Sequence, residues 1–371
     1  MKIGILTQPL HNNYGGLLQA FALQKVLNDL GHEVWIIRRE NRPNWRDFTK
    51  YYTKRVIASA IGKQIYPLLT QKQKTIISQY NREFISQYMG KQTNKLFTSK
   101  QFFKAASKFD FEAYVVGSDQ VWRPRYSPQI GIYFLDFLSD DSTKRIAYAA
   151  SFGVDNWEFN EKDTLKFATL AKKFDAISVR EESGIDLCEK YFGVHAVQSL
   201  DPTMLLERVD YENLIVNQEQ SNGDLFYYIL DPSKEKMDIV SKIAYEKKLE
   251  PFTEMPKEIT INNLKNINNC IYPGPLKWLK AFQDAKFVVT DSFHGCVFSI
   301  IFNKPFILFG NEKRGLTRFK SLLKQFGLEN RIYSDNNSFK IIIESSIDWS
   351  VINKTWENLR SKSIDFFNFL H

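Results

Sequence analysis

The first forty residues set a pattern that the rest of the chain repeats with variations. An apolar run, Lys2–Thr7, gives way to a polar loop, Gln8–Gly16. Apolar residues then recur at Leu18, Phe21, Ala22, Val26, Leu27 and Leu30. That three-and-four spacing belongs to one face of a helix, so a helix is predicted from about Leu17 to Leu30. Gly31 ends it, and His32–Ile37 reads as a second strand, completing a strand–helix–strand crossover. Residues 41–110 are polar and helical in spacing, with Gln/Lys-rich stretches such as Gln71–Lys74, and read as an insertion. Four apolar runs follow, each delivering polar residues at its carboxyl end. Ala113–Val116 runs into Gly117-Ser118-Asp119, and Arg145–Ala150 into Ser151-Phe152-Gly153. Ala176–Val179 runs into Arg180–Ser183, where Ser183 is placed to cap the next helix, and Val197–Leu200 into Asp201-Pro202-Thr203. Polar residues at successive strand ends are what the ligand-facing edge of a parallel sheet requires.

A second α/β run starts after about Leu206. It comprises a strand at Leu225–Leu230, a helix at Lys234–Lys247, and weaker strand candidates at Ile259–Ile261 and Cys270–Tyr272. A helix at Pro275–Ala285, strands at Phe287–Thr290 and Lys304–Phe309, and a helix at Arg318–Phe326 complete it. The tail from Asp348 to Leu370 has helical spacing and is expected to pack back on the first half. These elements predict two Rossmann-like domains facing each other across a cleft: residues 1–206 with the insertion at about 41–110, residues 207–345, and a C-terminal helix within 346–371.

Composition adds bounds. A chain of 371 residues accommodates two ordinary α/β domains, and 43% hydrophobic content supports packed cores. The 30 Phe and 17 Tyr therefore serve core filling as readily as ligand stacking. No run is long and apolar enough to span a bilayer, and Met1–Leu6 reads as a strand rather than a signal peptide, so cytoplasmic residence is expected. Cys188, Cys270 and Cys296 have neither metal-ligand nor disulfide spacing, so no metal is expected. The net charge of +8 is uneven. Residues 38–63 carry Arg38, Arg39, Arg42, Arg46, Lys50, Lys54, Arg55 and Lys63 against Glu40 and Asp47, interleaved with Trp45, Phe48, Tyr51 and Tyr52. Such a segment suits peripheral contact with the anionic inner face of a membrane, a phosphate-rich substrate, or a solvated amphipathic helix with its aromatics turned inward. No nucleic-acid motif accompanies the charge, and nucleic acid is not expected as a partner.

The turn Thr290-Asp-Ser-Phe-His-Gly295 concentrates the candidate chemistry. It places His294 between the carboxyl end of a strand and the amino end of an apolar helix, where backbone N–H groups favour anions. An imidazole there suits proton transfer near neutral pH, or else a structural bond across the turn. Asp291 either orients that imidazole or caps the helix, and capping is the favoured role. Gly15-Gly16 admits a phosphate or sugar close to the backbone, or simply supplies turn conformation. It matches neither the dinucleotide fingerprint nor a P-loop.

Six ordered blocks carry a family resemblance: Asn13–Leu23 (NYGGLLQAFAL), Val115–Trp122 (VVGSDQVW), Tyr148–Gly153 (YAASFG), Val179–Ser183 (VREES), Leu200–Thr203 (LDPT) and Thr290–Gly295 (TDSFHG). Together they resemble the polysaccharide pyruvyl transferase family, from the first strand to about Leu328. The resemblance implies a GT-B-like fold. It also implies transfer of the carboxyethylidene group of phosphoenolpyruvate to a sugar, often a lipid-linked precursor of a cell-surface glycan, with release of phosphate. Phosphoenolpyruvate is then a co-substrate and no other cofactor is implied. His294 becomes the acid or base, and Arg180 the foremost anion-binding residue, unless an ion pair with a neighbouring carboxylate occupies it. Ser292, Phe293, His294, Gly295 and Arg318 join it on the donor side; Lys313 and Arg314 lie near Arg318. Asn12, Asn13, Tyr14, Gly15, Asp119 and Ser151 are expected on the acceptor side, with Tyr14 or Trp122 as an aromatic platform, against turn formation for the asparagines and core packing for Trp122. Characterised members resemble Ser-x-Arg-x-His-Gly at the histidine motif, and here Ser292 stands in the arginine's place, leaving Arg318 as its expected substitute. A nucleotide-sugar glycosyltransferase on the same architecture is the competing enzyme reading, and a glycan- or membrane-binding module the non-enzymatic one.

Overall fold

The computed structural model describes residues 1–40, 67–139, 142–310 and 315–370. Two parallel sheets organise them. The first contains β1 (Lys2–Leu6), β2 (Glu33–Ile36), β3 (Ala113–Val116), β4 (Lys144–Ala150), β5 (Ala176–Val179) and β6 (Val197–Gln198), in the order β2-β1-β3-β4-β5-β6. The second contains β7 (Leu225–Tyr228), β8 (Pro251–Phe252), β9 (Phe287–Thr290), β10 (Phe306–Phe309) and β11 (Ile332–Tyr333), in the order β11-β10-β9-β7-β8. The central strands β3, β9 and β10 are buried at every residue. Continuous apolar runs are what parallel strands covered on both faces need.

Strand order also says where ligands belong. In the first sheet the chain runs from β1 outward to β2 and then crosses to β3 on the other side; in the second it runs from β7 to β8 and crosses back to β9. The crevices at these reversals lie beyond β1 and β3, and beyond β7 and β9. The loops leaving those four strands begin at Thr7, Gly117, Ile229 and Asp291.

Helix Pro275–Asp284 of the second half packs on helices Tyr14–Asp29 and Gln79–Tyr88 of the first. At the end of the chain, helix Trp349–Asp365 lies on the first half. Its Trp356 Nε1 donates to Met204 O (2.7 Å), Arg360 Nε donates to Leu205 O (2.6 Å), and Ser363 Oγ accepts from Leu200 N (3.1 Å). The rings of Phe366 and Phe367 close over Tyr148. No helix among the described residues is long and apolar enough to cross a membrane.

Several local expectations differ from what forms. The first helix starts at Tyr14, so Gly15 and Gly16 lie in its first turn rather than in a loop. Ile259–Ile261 and Cys270–Tyr272 form no strands; irregular backbone and the 3-10 turns of Asn263–Cys270 occupy that region. Their short apolar runs lack the length and flanking pattern that would commit them to a sheet. Helix Glu182–Leu187 has Glu181 at its N-cap with no side-chain cap, and the Ser183 hydroxyl is buried without a partner among the described residues. Of the insertion, helices form at Gln71–Ile77, Gln79–Tyr88 and Ser99–Phe109, the first and last opened by capping boxes at Thr70 and Thr98. Of the basic segment 38–63, residues 41–63 lie outside the described residues.

Candidate active site

The turn after β9 is held by its own side chains. Thr290 Oγ1 donates to Tyr228 O at 2.7 Å and accepts from Ser292 N at 3.1 Å, which ties the turn to β7. Ser292 is the N-cap of helix Phe293–Ile301, its hydroxyl accepting from Gly295 N at 3.3 Å. Asp291 neither caps that helix nor faces the imidazole. Its carboxylate accepts from Leu230 N (2.6 Å) and Asp231 N (3.0 Å) and pairs with Lys236 Nζ (2.6 Å). The cap falls one residue later than expected, because Asp291 is drawn towards the loop leaving β7, a partner 60 residues away in sequence.

The residue that faces His294 is Asp201, from the loop after β6. Its Oδ2 stands 3.4 Å from His294 Nε2, within ion-pair range but without hydrogen-bond alignment, and 2.7 Å from Arg180 Nη1. Its Oδ1 accepts from Thr203 N (3.0 Å) and Thr203 Oγ1 (2.7 Å). Burial alone would raise the Asp201 carboxyl pKa. The neighbouring His294, the Arg180 charge and the Thr203 donor outweigh it and hold the group well below the usual carboxylate range. Sequence reading marked Asp201 only as a polar strand end. The Asp-Pro-Thr run that caps a 3-10 turn was its visible signal.

Arg180 is buried, and its guanidinium is shared between Asp201 and Asp119 (3.4 Å) while lying 4.4 Å from the Phe293 ring centroid. Burial works to lower its pKa, but Asp201, Asp119 and Glu181 together raise it. Much of its charge is thereby committed inside the protein. Burial would likewise raise Asp119, yet Arg180, His294 and Arg318 pull it below its ordinary value. Arg318 approaches the same ring at 5.3 Å. Burial and the neighbouring Arg180 charge push Arg318 down to about 10. An arriving anion would reverse that pressure.

A cavity of about 380 Å³ opens between the two halves at this point. Gln8, His11, Asn13, Asp119, Gln120 and Tyr126 line it from the first; Leu230, Asp291, Ser292, Phe293, His294 and Arg318 from the second. Asn13, Asp119, Ser292, Phe293, His294 and Arg318 thus come together as the sequence suggested. Arg180 lies behind Phe293, and Gly295 packs against Thr290, where an added Cβ would sit 2.2 Å from Oγ1. Gly15 is the counterpart of His294: a Cβ there would lie 2.0 Å from the imidazole Nδ1, so the ring rests directly on helix backbone.

Three acceptor-side candidates stand elsewhere. Tyr14 is 1% exposed and packed among Tyr228, Tyr272 and Trp278, so it offers no platform to a sugar. Ser151 is fully buried and donates to Glu181 Oε1 (2.9 Å), which also accepts from Phe152 N and Gly153 N. Asn12 accepts from Asn81 Nδ2 (2.9 Å). Trp122 stacks on Phe134 in the core, at 5.1 Å and 7°. Lys313 and Arg314 lie outside the described residues. Gln8, His11 and Tyr126 are cavity residues that sequence reading missed; their loops carry no pattern beyond polarity.

Two parallel-sheet α/β domains with a cleft between their switch points define a GT-B-like fold. The chain belongs to the polysaccharide pyruvyl transferase family, whose model matches residues 13–313, and is accordingly a transferase of polysaccharide biosynthesis. No functionally curated protein matches the sequence. Among solved structures, a UDP-GlcNAc 2-epimerase from Methanocaldococcus jannaschii shares the fold at TM-score 0.53 and 12% identity, over 94% of this chain and 93% of that one. A putative UDP-N-acetylglucosamine 2-epimerase from Listeria monocytogenes gives TM-score 0.49 at 8% identity, over 97% and 90%. An O-GlcNAc transferase mutant from Thermobaculum terrenum gives 0.45 at 10% identity; all of this chain aligns but spans only 66% of that protein.

Proposed function

We propose that the cleft binds phosphoenolpyruvate and converts it, with a sugar diol of a surface-polysaccharide precursor, into a pyruvate ketal and inorganic phosphate. A proton adds to the methylene carbon of the enol, and the resulting cationic C2 is attacked by one sugar hydroxyl. Loss of phosphate regenerates a cationic centre, which the second hydroxyl closes into the ketal. The two hydroxyl protons balance the one taken up by carbon and the one carried away by phosphate.

The observation that carries this reading is the placement of His294. It lines the cavity, rests on Gly15 and has a buried carboxylate, Asp201, behind Nε2. An imidazolium there is the form able to protonate carbon, and a sugar hydroxyl can return the proton. Arg318 faces the same space and supplies positive charge for the carboxylate or phosphate of the donor. Arg180 supports it at one remove, because Asp201 and Asp119 already hold its guanidinium. Asn13 and Asp119 offer the hydroxyl-binding groups on the opposite wall.

Incubating the protein with phosphoenolpyruvate and an unpyruvylated surface-glycan precursor should release phosphate in step with ketal formation. His294→Ala should lower that rate by at least 100-fold while leaving the circular dichroism spectrum unchanged. Near-normal turnover would remove His294 from the mechanism. Nucleotide diphosphate release from a nucleotide sugar, with no phosphate from phosphoenolpyruvate, would replace the reading with glycosyl transfer. A lipid-linked acceptor would bring the enzyme to the inner membrane face, which sedimentation with anionic liposomes tests directly.

A further inference from the structure

A second hollow lies along the domain seam, away from His294. Its volume is about 780 Å³, against about 380 Å³ for the cleft cavity. One wall is helix Gln79–Tyr88 of the insertion; the other is the start of helix Pro275–Asp284 in the second domain. Tyr80 is 46% exposed there, and Phe84 and Tyr88 stack beside it at 5.2 Å and 26°. Gln79, Gln87, Gln218 and Asn268 bring four carboxamides to the same walls. The two charged lining residues are already engaged: Glu83 accepts from Gln87 Nε2 (3.1 Å), and Lys277 stands 3.7 Å from Glu254.

Both domains build this hollow in register. A Cβ on Gly274 would meet the Tyr80 Cβ at 2.9 Å, so glycine lets the second domain close against that tyrosine. Tyr272 N donates to Ile77 O at 3.0 Å a few residues away. A polar link leads back to the cleft: Asn13 lines the cavity, and its neighbour Asn12 accepts from Asn81, which is adjacent to Tyr80. Asn81 is 1% exposed, and its Oδ1 has no hydrogen-bond partner among the described residues.

The chemistry of the lining selects its ligand. Carboxamides donate and accept at once, as sugar hydroxyls do, and aromatic rings cover the C–H faces of pyranoses. An anionic ligand would require unpaired cations, and an amphipathic protein helix an apolar groove. We propose that this hollow is a remote acceptor subsite, holding neutral sugar units of an oligosaccharide whose reacting unit occupies the cleft cavity. The proposal rests on the reading of the cleft as an acceptor site and extends it to a chain rather than a single sugar.

The test uses oligosaccharides from disaccharide to octasaccharide, released by mild acid from the host cell's surface glycan, a treatment that also removes pyruvate ketals. Titrated calorimetrically into the full chain without donor, they should bind at least tenfold more tightly as length increases. Tyr80→Ala and Gln87→Ala should each remove most of that gain while leaving disaccharide affinity and the unfolding midpoint unchanged. Absent binding, length-independent binding, or a length effect that survives both substitutions overturns the proposal. Because no donor is present, length-dependent binding in a protein that releases no phosphate from phosphoenolpyruvate would overturn the transfer reading and leave the subsite standing.

Discussion

Asp201 stands between Arg180 and His294, fully buried, and its role can be tested by its charge alone. Its folded-state pKa is depressed, so the stabilisation it provides is complete above its unfolded value of about 4 and declines as pH falls towards the depressed one. Asp201→Asn leaves Arg180 with one carboxylate partner fewer and should cost about 3 kcal/mol at pH 7. Urea unfolding should show the gap between wild type and variant narrowing below about pH 4. A gap independent of pH would mean that the substitution acts through packing rather than charge. His294 was legible in the sequence because strand, turn and helix lie within fifteen residues. Asp201 was less so: its partners Arg180 and His294 lie 21 and 93 positions away, on either side in the sequence. Tyr14 shows the same limit from the opposite direction. A tyrosine in a polar loop suggested a platform, but Tyr228, Tyr272 and Trp278 arrive from the other domain to bury it.

At the scale of elements, helix Phe293–Ile301 presents the imidazole, and one hydroxyl sets where that helix begins. Ser292→Ala removes the acceptor for Gly295 N and should cost about 1 kcal/mol in unfolding free energy, with a larger fractional loss of turnover if His294 is displaced. Ser292→Thr should restore both, and its failure to do so would assign Ser292 a role beyond capping. Helix interiors were readable from spacing, because apolar periodicity survives small shifts. Helix starts were not. Asp291 and Ser183 both looked like caps, yet Ser292 takes the first position while Glu181 holds the second without a side-chain bond. For Asp291 the cap is settled by which neighbours compete for the side chain, and those competitors lie on other elements.

Across the whole molecule the two domains meet through glycine and serine as well as through apolar surface. Gly315 has φ +96°, and a Cβ there would lie 1.9 Å from Gly153 O of the opposite domain. Gly315→Ala should therefore destabilise the protein by about 1–3 kcal/mol and reduce turnover, since Arg318 follows three residues later. Chemical unfolding and steady-state kinetics on the same sample check both effects; an unchanged midpoint would show that the seam yields freely there. Nearby, Ser321 Oγ accepts from Glu182 N (2.9 Å) and Gln198 Nε2 (2.7 Å), joining the same two domains. The two-domain plan was legible because each half repeats the strand–helix alternation on its own. The seam was not, since residues such as Gly153, Gly315 and Ser321 have no periodicity to announce them.

Gly15 and Asp201 belong to the first domain, whereas His294 belongs to the second. The imidazole therefore has both its seat and its carboxylate neighbour only while the halves are together. Separating the halves would part the imidazole from that carboxylate, and closing them would reunite the two. If His294 is the proton donor proposed for the enol, opening the cleft would also disable protonation, and the architecture itself would guard the donor against wasteful hydrolysis.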